Sequence, residues 1–328
     1  MSDFLAYRLP NDSIVKRVGN FNLIREDGNH TEGFIFSNFN KNKQYVFTPN
    51  QSDYESTFQI HFSKDEPKVI SKETYLLYGN RIIEFLRDQS FNKFVFSRIK
   101  KTQFDSKKTL QLFDTLCENY PKAFIYLISS KAEGTWIGAT PETLLQSFKG
   151  FGFTMALAGT KEKKAIYPWT QKEYDEQNLV SEYITETLKL SGIQNLENQG
   201  PYDSEAGNLI HLRTDFSFDL KNHNVLNIAR NLHPTPAVSG LPKTESIVLI
   251  NQIESHELGY SRDLYTGFIG ITSNETTQLF VNLRCCQIFK DSAFLYVGGG
   301  YTEDSTAENE WEETESKSKT LMSVIEKL

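Results

Sequence analysis

Cysteine is scarce in this chain, with three in 328 residues, Cys117, Cys285 and Cys286. The set is odd and sparse, and the adjacent pair sits in an apolar run, so Cys285 and Cys286 read as buried thiols rather than a bridge or a metal pair, which points to a reducing, cytoplasmic setting. Long apolar runs are missing too. None approaches the roughly 18 residues a spanning helix needs. The start, "MSDFLAYRLPND", has neither a signal-peptide pattern nor a cleavage site, so no membrane association is expected. Nor is there a basic excess. Thirty-five Lys and Arg against 42 Asp and Glu leave a net charge of −7, without the electrostatic footprint of a nucleic-acid binder. The densest basic stretch, "KEKK" at 161–164, reads as a solvated loop. Repeats, low-complexity linkers and long Pro/Gly/Ser breaks are also lacking. A hydrophobic content of 38% with 13% aromatics then describes a globular chain of one or two domains with a large core.

Residues 1–70 are rich in Asn and Phe and read as short strands such as "TEGFIFSNF" and "KQYVFTP". Helical spacing of apolar residues predicts helices over 72–89, 107–120, 170–193 and 243–258, with another from about 306. Strands are expected at 93–99, 123–130, 134–148, 208–220, 264–273, 277–289 and 293–299. They arrive in adjacent runs rather than in strict βαβ alternation, which predicts an α+β fold with antiparallel sheets.

Several stretches could carry chemistry. In "NLIHLRTDFSFDL" (208–220) the alternation puts Ile210, Leu212, Thr214, Phe216 and Phe218 on one face and His211, Arg213 and Asp215 on the other. The second face either meets solvent or lines a polar cleft. "QLFVNLRCCQIF" (278–289) is apolar on nearly both faces yet holds Arg284, which needs a partner. A carboxylate ligand suits its fork, and so does an internal salt bridge. "FLYVGGGYTEDS" (294–305) ends a strand in three glycines, either a close backbone approach to an anion or a flexible turn. "NLHPTPAVSGLPK" (231–243) is a rigid, Pro-punctuated loop before a helix. Finally, "ENEWEETESKSKTL" (308–321) crowds Glu308, Glu310, Glu312, Glu313 and Glu315 into eight positions. Like-charge neighbours on a helix cost about 0.2–0.5 kcal/mol each. A helix N-terminus offsets part of that, and a divalent cation would offset far more.

In order along the chain, "KFVFSR", "IGATPETLL", "ALAGT", "EYDEQNLV", "HLRT", "LHPTPAVSGLPK", "RDLYTGFIG", "VNLRCCQI", "VGGGYTEDS" and "EWEETESKSKT" resemble the chorismate-utilising enzymes. These comprise isochorismate synthases, salicylate synthases and the large subunits of anthranilate and aminodeoxychorismate synthases. The likeness runs from about Lys93 to the C-terminus, while residues 1–90 match loosely. It implies a single α+β domain over 1–328 whose catalytic core is 91–328, with antiparallel sheets packed together and flanked by helices. It also implies chorismate as the small-molecule substrate and Mg²⁺ as the cofactor, with Glu176, Glu310 and Glu313 as metal ligands. Glu308, Glu312 and Glu315 then remain surface charges. Arg284, Tyr265, the amides of Gly299 and Gly300, and Lys317 match the family's carboxylate-binding set. His211 matches the family histidine beside the reacting ring, and Thr160 and Ala237 match substrate-binding positions.

The nucleophile separates the members. Aminodeoxychorismate synthases carry a covalent Lys where this chain has Ala158. Anthranilate synthases carry Gln where this chain has Lys93. Water-using members carry Lys there, a general base once its pKa is lowered. Glu142 matches the general acid that releases the C4 hydroxyl, for which a raised pKa is expected. The resemblance therefore implies an isochorismate synthase serving menaquinone or a catechol siderophore, acting as a monomer without a glutamine amidotransferase subunit. Salicylate synthases share this first half and then eliminate pyruvate, and Lys93, Glu142 and Ala158 do not separate the two. A cation-dependent binding protein without turnover is the competing class. Two stretches depart from the family: "KEKKAIYPWTQ" is shortened, and "ESHELGYSRDLY" lacks the usual Glu-Pro turn before its Arg.

Overall fold

The computed structural model describes residues 2–24, 32–50, 58–88, 91–206, 209–220 and 223–328. Thr31, Gln89 and Asn208, at the edges of expected elements, lie outside them. The N-terminal part forms strands β1 (Asp3–Arg8), β2 (Ile14–Leu23), β3 (Gly33–Ser37) and β4 (Gln44–Pro49), then helix α1 (Lys72–Asp88) and β5 (Lys93–Gln103). Next come α2 (Thr109–Asn119), β6 (Phe124–Ser130), β7 (Gly134–Thr140), β8 (Thr143–Phe148), β9 (Phe151–Glu162), α3 (Gln171–Leu190), β10 (Gln194–Ala206) and β11 (Leu209–Asp219). The chain continues through α4 (Val225–Leu232), β12 (Gly240–Leu241), α5 (Lys243–Ile250), β13 (Phe268–Thr272), β14 (Thr276–Val281), β15 (Cys285–Ile288), β16 (Ser292–Tyr301) and α6 (Ala307–Ile325).

Local chemistry accounts for the boundaries. Thr170 and Glu173 form a capping box at the start of α3. Thr306 caps α6 by accepting from Asn309 N, and Glu308 and Glu310 sit in that first turn against the positive end of the helix dipole. Part of the acidic crowding is thus a helix start. Between β8 and β9 the chain reverses through Lys149 (φ 48°) and Gly150 (φ 84°), a left-handed pair whose twist suits a tight hairpin.

The strands join in one sheet in the order β10-β11-β9-β8-β14-β13-β3-β4-β2-β1-β6-β7-β15-β16-β5-β12. Each observed pairing is antiparallel, as for β5 with β16 and β9 with β11. The sheet folds back on itself. Phe124 of β6 stacks on Phe280 of β14 at 4.5 Å, though their strands are far apart in the order. The aromatic core between the halves includes Phe34, Phe36, Tyr75, Tyr126 and Tyr301. Helices α3 and α4 cover one half through Val180, Ile184, Leu188 and Leu232. Helices α2 and α6 cover the other through Leu112, Phe113, Leu116, Leu321 and Val324. Each such side chain contributes about 1.5–3 kcal/mol by leaving water.

Three expected elements are broken. Pro141 divides 134–148 into β7 and β8. The 277–289 stretch is interrupted at 282–284, where Arg284 takes a left-handed φ of 48°. The 243–258 helix is α5 followed by a π-helical turn, Asn251–Glu257. The strand expected over 264–273 starts later, at Phe268. Cys285 and Cys286 are buried and free, as expected, and so is Cys117.

Candidate active site

Lys93, the first residue of β5, is 1% exposed. Its Nζ lies 2.5 Å from Glu176 Oε1 on α3. Glu142 occupies the bend after Pro141, held where Val281 N donates to its backbone carbonyl. Burial pushes its carboxyl up to about 7, against the pull of Arg284, Lys93 and Lys317. Arg284, in the break between β14 and β15, is fixed by Ala139 N donating to its carbonyl at 3.0 Å. Burial lowers its pKa, and Glu142 and Glu313 act on it through space. No internal salt bridge closes on it among the described residues, so its fork remains available to a ligand. A non-glycine residue in this conformation is strain of the kind found at functional sites.

His211 belongs to the polar cleft rather than to a solvent face, at 5% exposed. A β-bulge explains it. The register of β11 against β9 shifts between Ile210 and Leu212, which gathers Gly159 and Thr160 at its ring. Nδ1 lies 2.9 Å from the Gly159 carbonyl and 3.1 Å from Thr160 Oγ1. A carbonyl only accepts, so Nδ1 carries the proton and Nε2 is left as an acceptor. Nε2 has no partner. Burial, with Arg284 adding to it, holds the ring's pKa down to about 3, so the imidazole is neutral.

The three glycines lie inside β16, not in a turn. A Cβ on Gly299 would come within 2.7 Å of Glu310 Oε2, and one on Gly300 within 3.1 Å of both Glu176 Oε1 and Lys93 Cε. Glycine is what lets α3, α6 and β5 bring these side chains together. On α6, Ser305 Oγ donates to Glu310 Oε1 at 2.8 Å, while the buried Oε2 has no partner. Burial, with Glu313 as the next cause, raises the Glu310 pKa. Lys317 bridges Glu313 at 2.5 Å and donates to Gly298 O at 2.9 Å. Tyr265 stands buried beside Gly298.

All thirteen residues singled out from the sequence line one cavity: Lys93, Glu142, Thr160, Glu176, His211, Ala237, Tyr265, Arg284, Gly299, Gly300, Glu310, Glu313 and Lys317. Sequence reasoning missed Lys172 and Val238, which also line it. Lys172 Nζ is 3.7 Å from Glu310 Oε1. Its signal was its place four residues before Glu176, on the same helical face. Glu315 is not a free surface charge. Lys100 donates to it at 2.6 Å, and it also accepts from Arg98, whose guanidinium lies 3.8 Å from the Trp311 ring.

Among the described residues no three His, Cys, Asp or Glu side chains form a ready-made metal cage. The donor set nevertheless fits Mg²⁺, which takes a few carboxylates and keeps waters and substrate oxygens for the remaining positions. Glu176, Glu310 and Glu313 face one cavity, and the unpartnered, buried Glu310 oxygen is a ligand atom without a protein donor.

An α+β fold that gathers carboxylates, a free arginine and buried acid–base groups at one cavity defines an enzyme for a small anionic substrate. The chain belongs to the chorismate binding enzyme family, whose model matches residues 18–326. It is 25% identical over 280 residues to the vibriobactin-specific isochorismate synthase of Vibrio cholerae, covering 80% of this chain and 70% of that protein. It is also 25% identical over 269 residues to isochorismate synthase MenF of Haemophilus influenzae, covering 78% of this chain and 61% of that protein. The match thus spans less than two thirds of the second relative's length. In fold it resembles the crystal structure of DhbC from Bacillus anthracis, described as a putative 2,3-dihydroxybenzoate-specific isochorismate synthase, with a TM-score of 0.80, 22% identity and coverage of 98% and 95% of the two chains. No helix among the described residues is long and apolar enough to cross a membrane.

Proposed function

We propose that this chain is a Mg²⁺-dependent isochorismate synthase, adding water at C2 of chorismate with loss of the C4 hydroxyl. The observation that carries the reading is the pairing of buried Lys93 and buried, high-pKa Glu142 on the cavity that also holds Arg284. Arg284, Tyr265 and the Gly300 amide hold a substrate carboxylate, while Gly299 faces Phe96 in the sheet. Mg²⁺, held by Glu176, Glu310 and Glu313, would neutralise charge at the C1 carboxylate. Lys93 takes a proton from water as the oxygen bonds to C2. Both ring double bonds shift, C1=C2 to C1=C6 and C5=C6 to C4=C5, the C4–O bond breaks, and Glu142 gives its proton to the departing hydroxyl, which leaves as water. Lys93 ends protonated and Glu142 ionised, so the net change is isomerisation. His211 Nε2 accepts from a substrate hydroxyl.

Ala158 offers no nucleophilic amine, which supports water over a covalent route. The enzyme acts in the cytoplasm as a monomer, without an amidotransferase subunit. The isochorismate formed serves a menaquinone route in this reading, with a catechol siderophore as the alternative. The test is a product chromatogram from purified protein, chorismate and Mg²⁺ without ammonium or glutamine, with EDTA as control. Isochorismate in equilibrium with chorismate, abolished by EDTA, is the expected result. Salicylate with pyruvate would make it a salicylate synthase. Anthranilate formed only with ammonium would overturn the water reading.

A further inference from the structure

The departure at "ESHELGYSRDLY" has a structural counterpart. The carboxylate that meets Arg262 lies eight residues upstream, on the π-helical turn Asn251–Glu257. Both partners are buried, Arg262 at 3% and Glu254 at 1% exposed. Arg262 Nε donates to Glu254 Oε2 at 2.7 Å and its NH2 to Oε1 at 2.8 Å, a two-pronged pair. The remaining donors reach main chain: NH1 to Val238 O and NH2 to Val95 O, each at 2.7 Å.

These contacts fall on the outer edge of β5. One edge of β5 pairs with β16 over ten residues, while the other, among the described residues, meets only the two-residue β12. Beyond β12 the edge would leave buried backbone groups unsatisfied. Here the Val95 carbonyl accepts from Arg262, the Ser97 N–H donates to Glu254 Oε1 at 2.9 Å, and the Ser97 carbonyl accepts from Tyr260 OH. Side chains replace the missing strand. The same guanidinium grips Val238, next to Ala237 in the cavity wall. The Arg262 carbonyl accepts from Tyr265 N at 2.8 Å.

We propose that the Glu254–Arg262 pair is a positioning device for the reaction, fastening the Lys93 strand, the 233–239 loop and the Tyr265 turn to one another. Neither residue touches the cavity; both act through main chain. Their loss displaces Lys93 relative to Glu142, and a misplacement near 1 Å costs about a hundredfold in rate. The inference rests on the hydration reading above.

The decisive variant is Glu254→Leu/Arg262→Met, which leaves no unpaired buried charge and so need not unfold the chain. At a temperature where circular dichroism finds it folded, kcat per folded molecule is expected to fall about a hundredfold, with KM within about threefold. Arg284 and the α6 carboxylates are untouched. A purely structural role predicts a lower melting temperature and unchanged kcat per folded molecule. Hydrogen exchange over 233–241, which needs no turnover, should accelerate at least about tenfold. A kcat within twofold of the parent overturns the proposal. Should the double variant misfold, Tyr260→Phe removes one contact and should lower kcat by about threefold to tenfold; an unchanged kcat there overturns the proposal too. If the parent makes no isochorismate, the functional reading fails, and the exchange rate alone decides the fastening role.

Discussion

Lys93 Nζ lies 2.5 Å from Glu176 Oε1, so the proposed base and a proposed metal ligand form one ion pair joining β5 to α3. Replacing Lys93 with Ala removes the proton acceptor for water but leaves Arg284, Lys317 and the α6 carboxylates in place. Isochorismate formation should drop at least about a thousandfold, while calorimetric titration still detects chorismate binding. Turnover near the parent rate would show that another group takes the proton.

Glu142 has to be protonated to release the C4 hydroxyl, and its carboxyl is pushed up to about 7 from an ordinary 4.5, chiefly by burial. The rate should therefore fall as pH rises through about 7. Stability moves the same way. Between these two values the folded state binds more protons than the unfolded one, so the contribution is full below 4.5 and lost as pH rises through about 7. The span corresponds to about 3 kcal/mol. Glu142→Gln should lose activity yet melt higher than the parent at pH 8 and alike at pH 4, in paired thermal scans. Identical pH dependence in the two proteins would remove Glu142 as the buried titrating acid.

His211 is held neutral, its pKa lowered to about 3. Its role as acceptor at Nε2 is thus independent of pH across the working range of an ordinary histidine. His211→Asn keeps a donor towards Gly159 O and loses the acceptor. A rate loss of about tenfold to a hundredfold is expected, with the acidic limb of the pH profile unmoved. An acidic limb that disappears in the variant would mean that His211 titrates there.

The site was more legible in the sequence than the sheet that carries it. Arg284 stood out because it sits in an apolar run where a charge needs a reason, and Lys93 and Glu142 stood out through the motifs that resemble the chorismate-utilising enzymes. What the sequence could not convey was the partner of each. Glu254 and Arg262 meet only because a π-helical turn changes the phase of the segment before Gly259, and Gly159 and Thr160 reach one histidine only through a bulge. Strand β10, "QNLENQGPYDSEA", has little alternation and a Gly-Pro step. It is a strand because β11 pairs with it, which is tertiary context overriding propensity. Strand β2 is largely exposed, so it lacks a buried face to announce it. Helix α4 has eight residues, too few for a clear period.

Gly300 tests the packing of the proposed base directly. No positive φ is required there, but an added Cβ would stand 3.1 Å from both Lys93 Cε and Glu176 Oε1. Gly300→Ala should fold normally and push the ion pair aside, lowering kcat by about tenfold to a hundredfold with little change in melting temperature. Parent-like kcat in this variant would show that the site relaxes around a methyl group.

Glu313 tests the cation. It faces the cavity on α6, one turn before Lys317, to which it is bonded. Glu313→Gln keeps the shape and removes one negative charge, so Mg²⁺ should bind at least about tenfold more weakly, since affinity for a hard cation follows ligand charge. Isothermal titration of Mg²⁺ into protein without chorismate reads this apart from turnover. Chorismate affinity measured at saturating Mg²⁺ should fall much less, because Arg284 and the Gly300 amide still hold the substrate. If the variant keeps the parent's Mg²⁺ affinity, Glu313 is not a ligand, and the neighbouring Glu310, with its unpartnered buried oxygen, is then the carboxylate of α6 on which the cation depends.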